Sequence, residues 1–493
     1  MKRMTAFLLT LLLLFLASCS ETAADPEETS PVLTQTVEEV PETEAPTVAD
    51  TIRETYADVD YGGYEFRIMG NAPGGFFYYK INDQANEIWY EEQTGEIYTD
   101  AVYDRNVMTE DLCNIKIVPE WNNDFDITPA IKKLVAAGDD NIDAALGAMA
   151  YHVNIAAAGN LHNLYEVDGL ELEQPWYDHA IVRNYSYKGN KLYAIAGAYN
   201  VFDDYAVPVV FYGKQIMREN GLDDPSDLVV EGGWTIDVMM TMGETVTKDV
   251  DGDGSMTKAD AWGFLDNTGA LRHLAEGVGQ TMTRVDSEGV PYLNCLTPEY
   301  LDAVEKIYDR VICSEARMET DNATQVTVMK EERGLFYYEL LGCINEFRDM
   351  ESDFSLLPLP KLDTNQEQYV TPVNSVWCTA LAVPITVADT ARVGTVLNVL
   401  SAFSVDTVNR TLYELILGSK LIREEMSLVM LDYVWANKTY CWGNGYSWAS
   451  PIDSVFSAQY NANSFIMASQ LEKQTKVINK NFEKFLSKFD ELP

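Results

Sequence analysis

A regular alternation of strand and helix patterns near the start of the folded region constrains this chain more than any other feature. Strand patterns occur at 64–69, 115–118 and 142–146, and helix patterns lie between them at 97–112 and 127–137. Such a β-α-β-α-β unit forms right-handed crossovers, which build a parallel sheet covered by helices on both faces. We therefore predict an α/β fold.

The carboxyl ends of these three strands mark where a ligand would bind. Open parallel sheets hold ligands in the crevice beyond the carboxyl ends of their strands. We therefore expect the loops after Met69, Val118 and Leu146 to face a cleft.

A second series of patterns follows the first unit. It comprises strands at 191–196, 207–212 and 378–383, helices at 238–246, 300–312 and 393–400, and a helical C-terminal stretch. The chain has 493 residues, which exceeds what one hydrophobic core usually supports. Two domains, or one fold of two lobes, are therefore expected.

The charge of the chain excludes one class of partner. Lys and Arg number 35 against 77 Asp and Glu, so the net charge is −42. A chain this acidic repels phosphate backbones at long range, so we expect no nucleic acid partner. Its 47% of hydrophobic residues is typical of a folded protein in water.

The first nineteen residues have the pattern of an export signal. Lys2 and Arg3 precede an apolar stretch at 6–17, which is about the length of a signal-peptide core and too short to span a bilayer comfortably. The stretch ends in Leu16-Ala17-Ser18-Cys19, which resembles the lipobox of bacterial lipoproteins. The resemblance implies removal of residues 1–18 and acylation of Cys19, for example with palmitate. An ordinary secretory peptide is the alternative.

The segment after Cys19 has the composition of a tether. Residues 20–50 contain nine acids, four prolines and no Lys or Arg, which cannot form a core. Proline and like-charge repulsion favour an extended chain. We predict a disordered acidic tether over 19–57, with an interaction tail as the alternative.

Several segments in their order resemble bacterial extracellular solute-binding proteins of ABC importers, in the sugar-binding group that includes maltose-binding protein. The matching segments are GGYEFRIMG, LYEVDGLELEQPWYD, KLYAIAGAYNVFDDYAVPVVFYGKQIMRENGL, GGWTIDVMM, DVDGDGSMTKADAWGF and SLLPLP followed by ALAVP. They span most of the chain beyond residue 60. The insert at 73–96 has no counterpart in maltose-binding protein, so the identity of the ligand is not carried over.

The resemblance implies a periplasmic-binding-protein-like fold with two α/β lobes, a hinge and an interlobe cleft. We expect one lobe at 58–165 with about 325–390, and the other at about 166–324 with 391–493. Ligand contacts to both lobes would favour the closed state. A monomer anchored at the outer face of the cytoplasmic membrane would then deliver its solute to ABC permease subunits. That face is extracellular in a Gram-positive-type cell and periplasmic otherwise.

Aromatic residues near acids in the cleft loops are the candidate ligand contacts. A sugar has apolar faces and polar edges, so its site needs flat rings together with carboxylates or amides. The candidates are Tyr151, Tyr199, Asp203, Asp204, Tyr338, Glu339, Trp377, Trp442 and Trp448. Packing is the alternative role for each ring, since aromatic residues are usually buried. Trp176, Trp234 and Trp262 are assigned to packing.

An aspartate-rich loop predicts a structural calcium site. Its candidate ligands are Asp249, Asp251, Asp253, Asp260 and the carbonyl of Ser255, at positions 1, 3, 5, 12 and 7 of an EF-hand-like loop with Gly254 at position 6. Position 12 is Asp where EF-hands carry Glu, which weakens bidentate coordination. A metal-free Asp-Gly turn is the alternative.

The sequence lacks the usual catalytic motifs. Walker A, nucleophile-elbow, zincin and dinucleotide-binding patterns are absent, and the six cysteines after Cys19 have no framework spacing. This absence gives no support to an enzyme, and the resemblance to sugar-binding solute-binding proteins implies a binding protein without catalytic activity that captures a carbohydrate, with an oligosaccharide favoured. A surface glycoside hydrolase and a glycan-capturing adhesin lipoprotein are the alternatives.

Overall fold

The computed structural model describes residues 47–72, 87–347, 349–412, 414, 425–443 and 447–493. The predicted signal peptide, Cys19 and most of the predicted tether lie outside these residues. Within them, no helix is both long enough and apolar enough to cross a membrane.

Strands and helices alternate along most of this range. The strands are β1 (Tyr64–Asn71), β2 (Ile115–Asn122), β3 (Ala144–Ala148), β4 (Pro208–Gly213), β5 (Trp262–Asp266), β6 (Thr283–Val285), β7 (Pro291–Leu293), β8 (Arg317–Glu319), β9 (Gly334–Leu340), β10 (Phe354–Leu357), β11 (Thr371–Pro372), β12 (Thr379–Ala382) and β13 (Lys438–Thr439). The helices are α1 (Val48–Thr55), α2 (Ile97–Cys113), α3 (Thr128–Ala137), α4 (Met149–Ala156), α5 (His179–Tyr185), α6 (Phe202–Tyr205), α7 (Lys214–Glu219), α8 (Pro225–Glu231), α9 (Ile236–Val246), α10 (Ala270–Gly277), α11 (Pro298–Ile307), α12 (Asn322–Lys330), α13 (Thr390–Ser404), α14 (Glu425–Ala436), α15 (Ser450–Tyr460) and α16 (Met467–Glu491).

The first sheet confirms the predicted β-α-β-α-β unit. Its strand order is β12-β3-β1-β2, and β1 pairs in parallel with both β2 and β3. Strand β12 joins the edge antiparallel to β3, with Thr379 opposite Ala148. The carboxyl ends of β1, β2 and β3 therefore lie at one edge of the sheet, together with the start of β12.

Local sequence explains the elements of this unit. In β1, Phe66 and Ile68 are buried, because alternate side chains of a strand point to the same face. Helix α3 buries Ile131 and Leu134 and ends at Gly138, whose φ of 65° is the left-handed conformation that glycine adopts without steric strain.

The second sheet is mixed. Its strand order is β10-β4-β9-β5-β8, in which β5 is parallel to β8 and β9, and β4 is antiparallel to β9 and β10. Strands β4, β5, β9 and β10 are buried along their whole length, as expected for strands with both faces covered.

Two element predictions from the second series are corrected. Residues 191–196 do not form a strand. They contribute only isolated bridges, such as that of Ile195 with Leu381. The predicted helix at 300–312 is α-helical from Pro298 to Ile307 and continues as a π-helical turn at Tyr308–Ile312. Cys313, which follows this turn, is exposed, while Cys113 and Cys378 are buried free thiols.

The sheets divide the chain differently from the expected lobe boundaries. Strands β9 and β10 fall within 325–390 but belong to the second sheet, and only β12 of that range belongs to the first. Helix α13 was expected with the second lobe, but it packs against α2, the helix between β1 and β2. The chain therefore returns to the first sheet after β10 instead of at about residue 325.

The end of the predicted tether is also corrected. Residues 48–55 form helix α1, which packs against α13. Thr47 and Asp50 form a capping box at its start, and Ala49 and Ile52 are buried. The folded part therefore begins before residue 58, because these two apolar side chains give the segment a face to bury.

Candidate functional site

Three aromatic side chains meet at the carboxyl edge of the first sheet. Phe125 follows β2, Tyr151 lies in α4 directly after β3, and Trp377 precedes β12. The ring of Phe125 lies 5.7 Å from that of Tyr151, edge to face, and 5.7 Å from that of Trp377. All three are partly exposed. We call these residues the aromatic cluster.

Sequence reasoning found Tyr151 and Trp377 but missed Phe125. The strand was predicted to end at Val118, whereas β2 continues to Asn122, so the loop at the carboxyl edge begins later. With that boundary, the same edge rule would have selected Phe125. Burial raises the pKa of the Tyr151 hydroxyl, and Asp126 raises it further, so the hydroxyl stays protonated at neutral pH.

Tyr338 and Glu339 lie at the end of β9 in the second sheet, and both are buried. The Tyr338 hydroxyl contacts Nδ1 of His273. The Glu339 carboxylate accepts hydrogen bonds from Nδ2 of Asn267 at 2.8 Å and from the backbone of Leu340 at 2.8 Å. Both predicted residues are therefore held by internal contacts, and Asn267, the partner of Glu339, is partly exposed.

The short segment Ala206-Val207 forms hydrogen bonds to the edges of both sheets. The carbonyl of Ala206 accepts a 2.8 Å hydrogen bond from the backbone of Asn374, three residues before Trp377. The carbonyl of Val207 accepts a 2.8 Å hydrogen bond from Leu341, two residues after Glu339. The segment therefore brings the edge that holds the aromatic cluster close to the edge that holds Glu339.

Asp203 and Asp204 lie in a buried group of charges that we call the carboxylate cluster. The ammonium of Lys438 lies 2.8 Å from Asp178, 3.2 Å from Asp203 and 2.8 Å from Asp204. Tyr440 donates a 2.8 Å hydrogen bond to Asp178. Asp178 and Lys438 were not predicted, because only the fold brings β13 beside these distant aspartates.

Burial and charge act in opposite directions within the carboxylate cluster. Desolvation raises the pKa of Asp203 well above its ordinary value, although Lys438 opposes the shift. Desolvation alone would lower the pKa of Lys438, but the three carboxylates outweigh it and hold that pKa well above the usual value. Oδ1 of Asp203 is buried and has no hydrogen-bond partner among the described residues. The lysine therefore stays charged while Asp203 gains a proton more readily.

The carboxylate cluster lines a cavity of about 380 Å³. Trp176, Tyr177 and Trp435 also line it, so carboxylates and aromatic rings lie together there. The side chain of Tyr199, by contrast, is buried and does not line this cavity. Its hydroxyl bonds to the carbonyl of Ile195 and accepts a 2.9 Å hydrogen bond from the backbone of Leu381, which is a structural role.

Trp442 and Trp448 lie in the interior in contact with helix α16. Trp442 is 2% exposed, packs on Phe485 and Phe489, and donates a 2.6 Å hydrogen bond to the carbonyl of Asn184. Trp448 is 4% exposed and packs on Phe482 and Phe485. Their ring faces are covered by other rings, so the structure gives both a packing role in place of the predicted ligand contact. Residues 444–446 between them lie outside the described range.

Three residues of the aspartate loop converge. Carboxylate oxygens of Asp249, Asp251 and Asp253 lie within 4.8 Å of one another, and all three side chains are exposed. Asp249 also accepts hydrogen bonds from the backbone of Gly252 at 2.6 Å and Gly254 at 2.8 Å, which hold the loop in a tight turn.

The remaining predicted calcium ligands behave differently. Asp260 is buried and accepts hydrogen bonds from the backbone of Thr257 at 2.6 Å and Val250 at 2.9 Å. These bonds lower its pKa and use both of its oxygens to close the loop. The backbone of Ser255 donates a 2.7 Å hydrogen bond to Asp253. Calcium binding by the three converging aspartates stays a prediction.

Comparison with known proteins shows the fold. No protein-family model matches the sequence, and no curated protein sequence matches it. The structure of the cyclic alpha-maltosyl-1,6-maltose binding protein from Arthrobacter globiformis is similar over 86% of this chain and 100% of that chain, with 14% identity and a TM-score of 0.58.

Two further structures are similar over most of both chains. The galacto-N-biose-/lacto-N-biose I-binding protein of an ABC transporter from Bifidobacterium longum matches with 11% identity and a TM-score of 0.54, over 86% of this chain and 98% of that chain. UgpB from Mycobacterium tuberculosis, in complex with glycerophosphocholine, matches with 13% identity and a TM-score of 0.54. The match covers 86% of this chain and 99% of that chain. This chain therefore has the periplasmic-binding-protein-like α/β fold.

Proposed function

We propose that this protein is a lipid-anchored extracellular solute-binding protein that captures a carbohydrate, with an oligosaccharide favoured, and delivers it to an ABC permease. The aromatic cluster carries the proposal. It places three partly exposed rings at the carboxyl edge of the first sheet, where folds of this kind hold ligands. Such rings suit the apolar faces of a sugar, and nearby polar groups suit its hydroxyls.

The carboxylate cluster is the second candidate surface for the same ligand. Its cavity of about 380 Å³ combines three aspartates with aromatic rings. The fold alone does not select a sugar, since one similar structure holds glycerophosphocholine. The ligand screen therefore includes this compound beside saccharides.

A binding screen on the full chain tests the proposal. The panel contains linear and cyclic maltodextrins, lacto-N-biose and glycerophosphocholine, with thermal shift as the first readout and calorimetry as the second. We expect a saccharide to raise the melting temperature, and Tyr151→Ala and Trp377→Ala to lower its affinity about tenfold or more, since each removes a stacking face. Retained affinity in both variants with loss in Asp204→Asn would move the site to the carboxylate cluster. Failure of every saccharide to bind would refute the proposal.

Two further measurements address the alternatives. New reducing ends after incubation with the bound oligosaccharide would favour a glycoside hydrolase. Scattering with and without the saccharide tests closure, and we expect the radius of gyration to fall on binding. Genes for two membrane-spanning permease subunits beside the gene for this chain would argue against an adhesin.

The lipid anchor has its own test. We expect the full chain expressed in a bacterium to incorporate labelled palmitate, and Cys19→Ala to abolish the label. Lipid anchoring and sugar binding are tested independently, because the anchor depends on residues 16–19 and sugar binding depends on the folded part. Labelling that persists in Cys19→Ala would refute anchoring at this residue only.

A further inference from the structure

Helix α16 carries a row of lysines on its solvent face. The five members are all exposed: Lys473, Lys476, Lys480, Lys484 and Lys488. Spacings of three and four residues place them on one side of the helix. The buried side chains of the helix, which include Leu471, Ile478, Phe482 and Phe489, lie on the opposite side. The row is therefore directed away from the core.

This arrangement works against the stability of the helix. Lys480, Lys484 and Lys488 form successive pairs at i and i+4, and like charges at this spacing repel. Neither Lys484 nor Lys488 forms an ion pair within the described part of the chain, although the protein carries a net charge of −42. Glu483 and Glu491 lie close to these lysines in the sequence, but neither ammonium group is paired with them, so both charges stay available to an external anion.

The row borders a pocket of about 210 Å³ between α16 and α4. Lys484, Lys488 and Asn481 line it from α16, and Asn154 lines it from α4. No Asp or Glu is among the lining residues. Three other surface pockets in the described part of the chain each contain a carboxylate, as with Glu331, Asp237 and Asp178.

The chemistry of the lining favours an anion. An ammonium group only donates hydrogen bonds, and amide side chains can donate as well. Part of the Trp448 ring also borders the pocket, but its indole nitrogen is buried and is not a contact for a ligand there. The pocket therefore offers several donors and two positive charges to a group that carries oxygen acceptors.

We propose that the pocket between α16 and α4 binds a phosphate group through the ammonium groups of Lys484 and Lys488. A phosphate presents several oxygen acceptors and about two negative charges, which match two ammonium groups one helical turn apart. The group could come from a soluble phosphate ester or from a lipid head group. The site is separate from the aromatic cluster and from the carboxylate cluster.

The test uses the full chain in non-ionic detergent, with K484Q/K488Q and the matched control K473Q/K476Q. Each double variant removes two lysines from the same exposed helix face, but only the first alters the pocket. The probe is inorganic phosphate, compared with chloride at equal ionic strength to remove the effect of screening. A second arm replaces phosphate with micelles that contain phosphatidylglycerol.

We expect phosphate to raise the melting temperature of the unaltered chain and of K473Q/K476Q, and to leave that of K484Q/K488Q unchanged. The phosphate-dependent shift is the readout, so a lower starting melting temperature in either variant does not affect the result. An equal shift in all three proteins, or no shift in any of them with either phosphate or the micelles, overturns the proposal. A shift with phosphatidylglycerol micelles alone, lost in K484Q/K488Q, supports the site and assigns its source as a lipid head group.

Discussion

The ammonium nitrogen of Lys438 lies 2.8 Å from Oδ2 of Asp178, and the two side chains are only 11% and 7% exposed. The pair links β13 to the residue that caps helix α5, although the two are far apart in sequence. The same nitrogen also contacts the buried Asp203 and the partly buried Asp204, so a single lysine compensates three acids.

We expect Lys438→Met to lower the free energy of unfolding by about 3–5 kcal/mol, because removal of one partner leaves buried charges uncompensated. Urea unfolding measures the change. The control is Lys188→Met, which removes an exposed ion pair with Asp490 and should change stability by no more than about 1 kcal/mol. Equal effects of the two substitutions would show that the carboxylate cluster does not depend on its lysine.

Packing and ligand contact can be separated with two aromatic substitutions. We expect Trp442→Ala to cost about 3–5 kcal/mol of stability, since it opens a cavity beside Phe485 and Phe489. The folded fraction should keep its affinity for the saccharide. Tyr151→Ala should show the reverse, with a small loss of stability and a large loss of affinity. Calorimetry at a temperature where both variants stay folded distinguishes the patterns.

The aspartate loop predicts stabilisation by calcium. At a calcium concentration one hundred times the dissociation constant, binding to the folded state adds about 2.7 kcal/mol. We expect Asp251→Ala to abolish the rise in melting temperature and Asp111→Ala, an exposed acid in α2, to preserve it. Identical melting curves in calcium and in chelator would contradict the prediction.

Glu87 predicts a dependence of stability on pH. Its carboxylate is buried, and burial raises its pKa to about 7, although Thr379, Val201 and Phe202 donate hydrogen bonds to it. The folded state therefore binds a proton that the unfolded chain releases near pH 4.3, so this group makes stability fall as pH rises between those values, by about 1.4 kcal/mol per unit.

Glu87→Gln should remove this contribution, since an amide keeps the size and does not titrate. We expect the unfolding free energy of the variant, measured relative to that of the unaltered chain, to rise between pH 5 and pH 8. Chemical unfolding at several pH values in this window measures it. A difference that is constant with pH would contradict the raised pKa.

Elements with a strong local pattern were predictable from the sequence. Strand β1 and helix α3 follow from apolar periodicity and a glycine cap, and the edge rule correctly placed Tyr151 at the carboxyl end of β3. Helix α2 was also predicted, although its buried face includes the polar residues Arg105, Asn106 and Thr109. These features depend on neighbours in the sequence, so a single chain contains the information.

Features that depend on distant residues were missed. Nothing near Lys438 indicates that it meets Asp178 and Asp204, since only the completed fold brings them together. Trp442 was mistaken for a ligand contact because glycines follow it. The phenylalanines of α16 recur at helical spacing, and that apolar face could have indicated where the tryptophan packs.

The position of β12 has a consequence for how the chain is made. This strand completes the first sheet next to β3, yet it is synthesised only after every strand of the second sheet. A growing chain therefore cannot finish its first sheet until most of the protein has been translated. Until then, the edge of β3 that pairs with β12 has no strand beside it. Late pairing of this kind slows folding. Such a delay would suit the export that we propose, because a polypeptide must stay unfolded while it crosses a translocation channel.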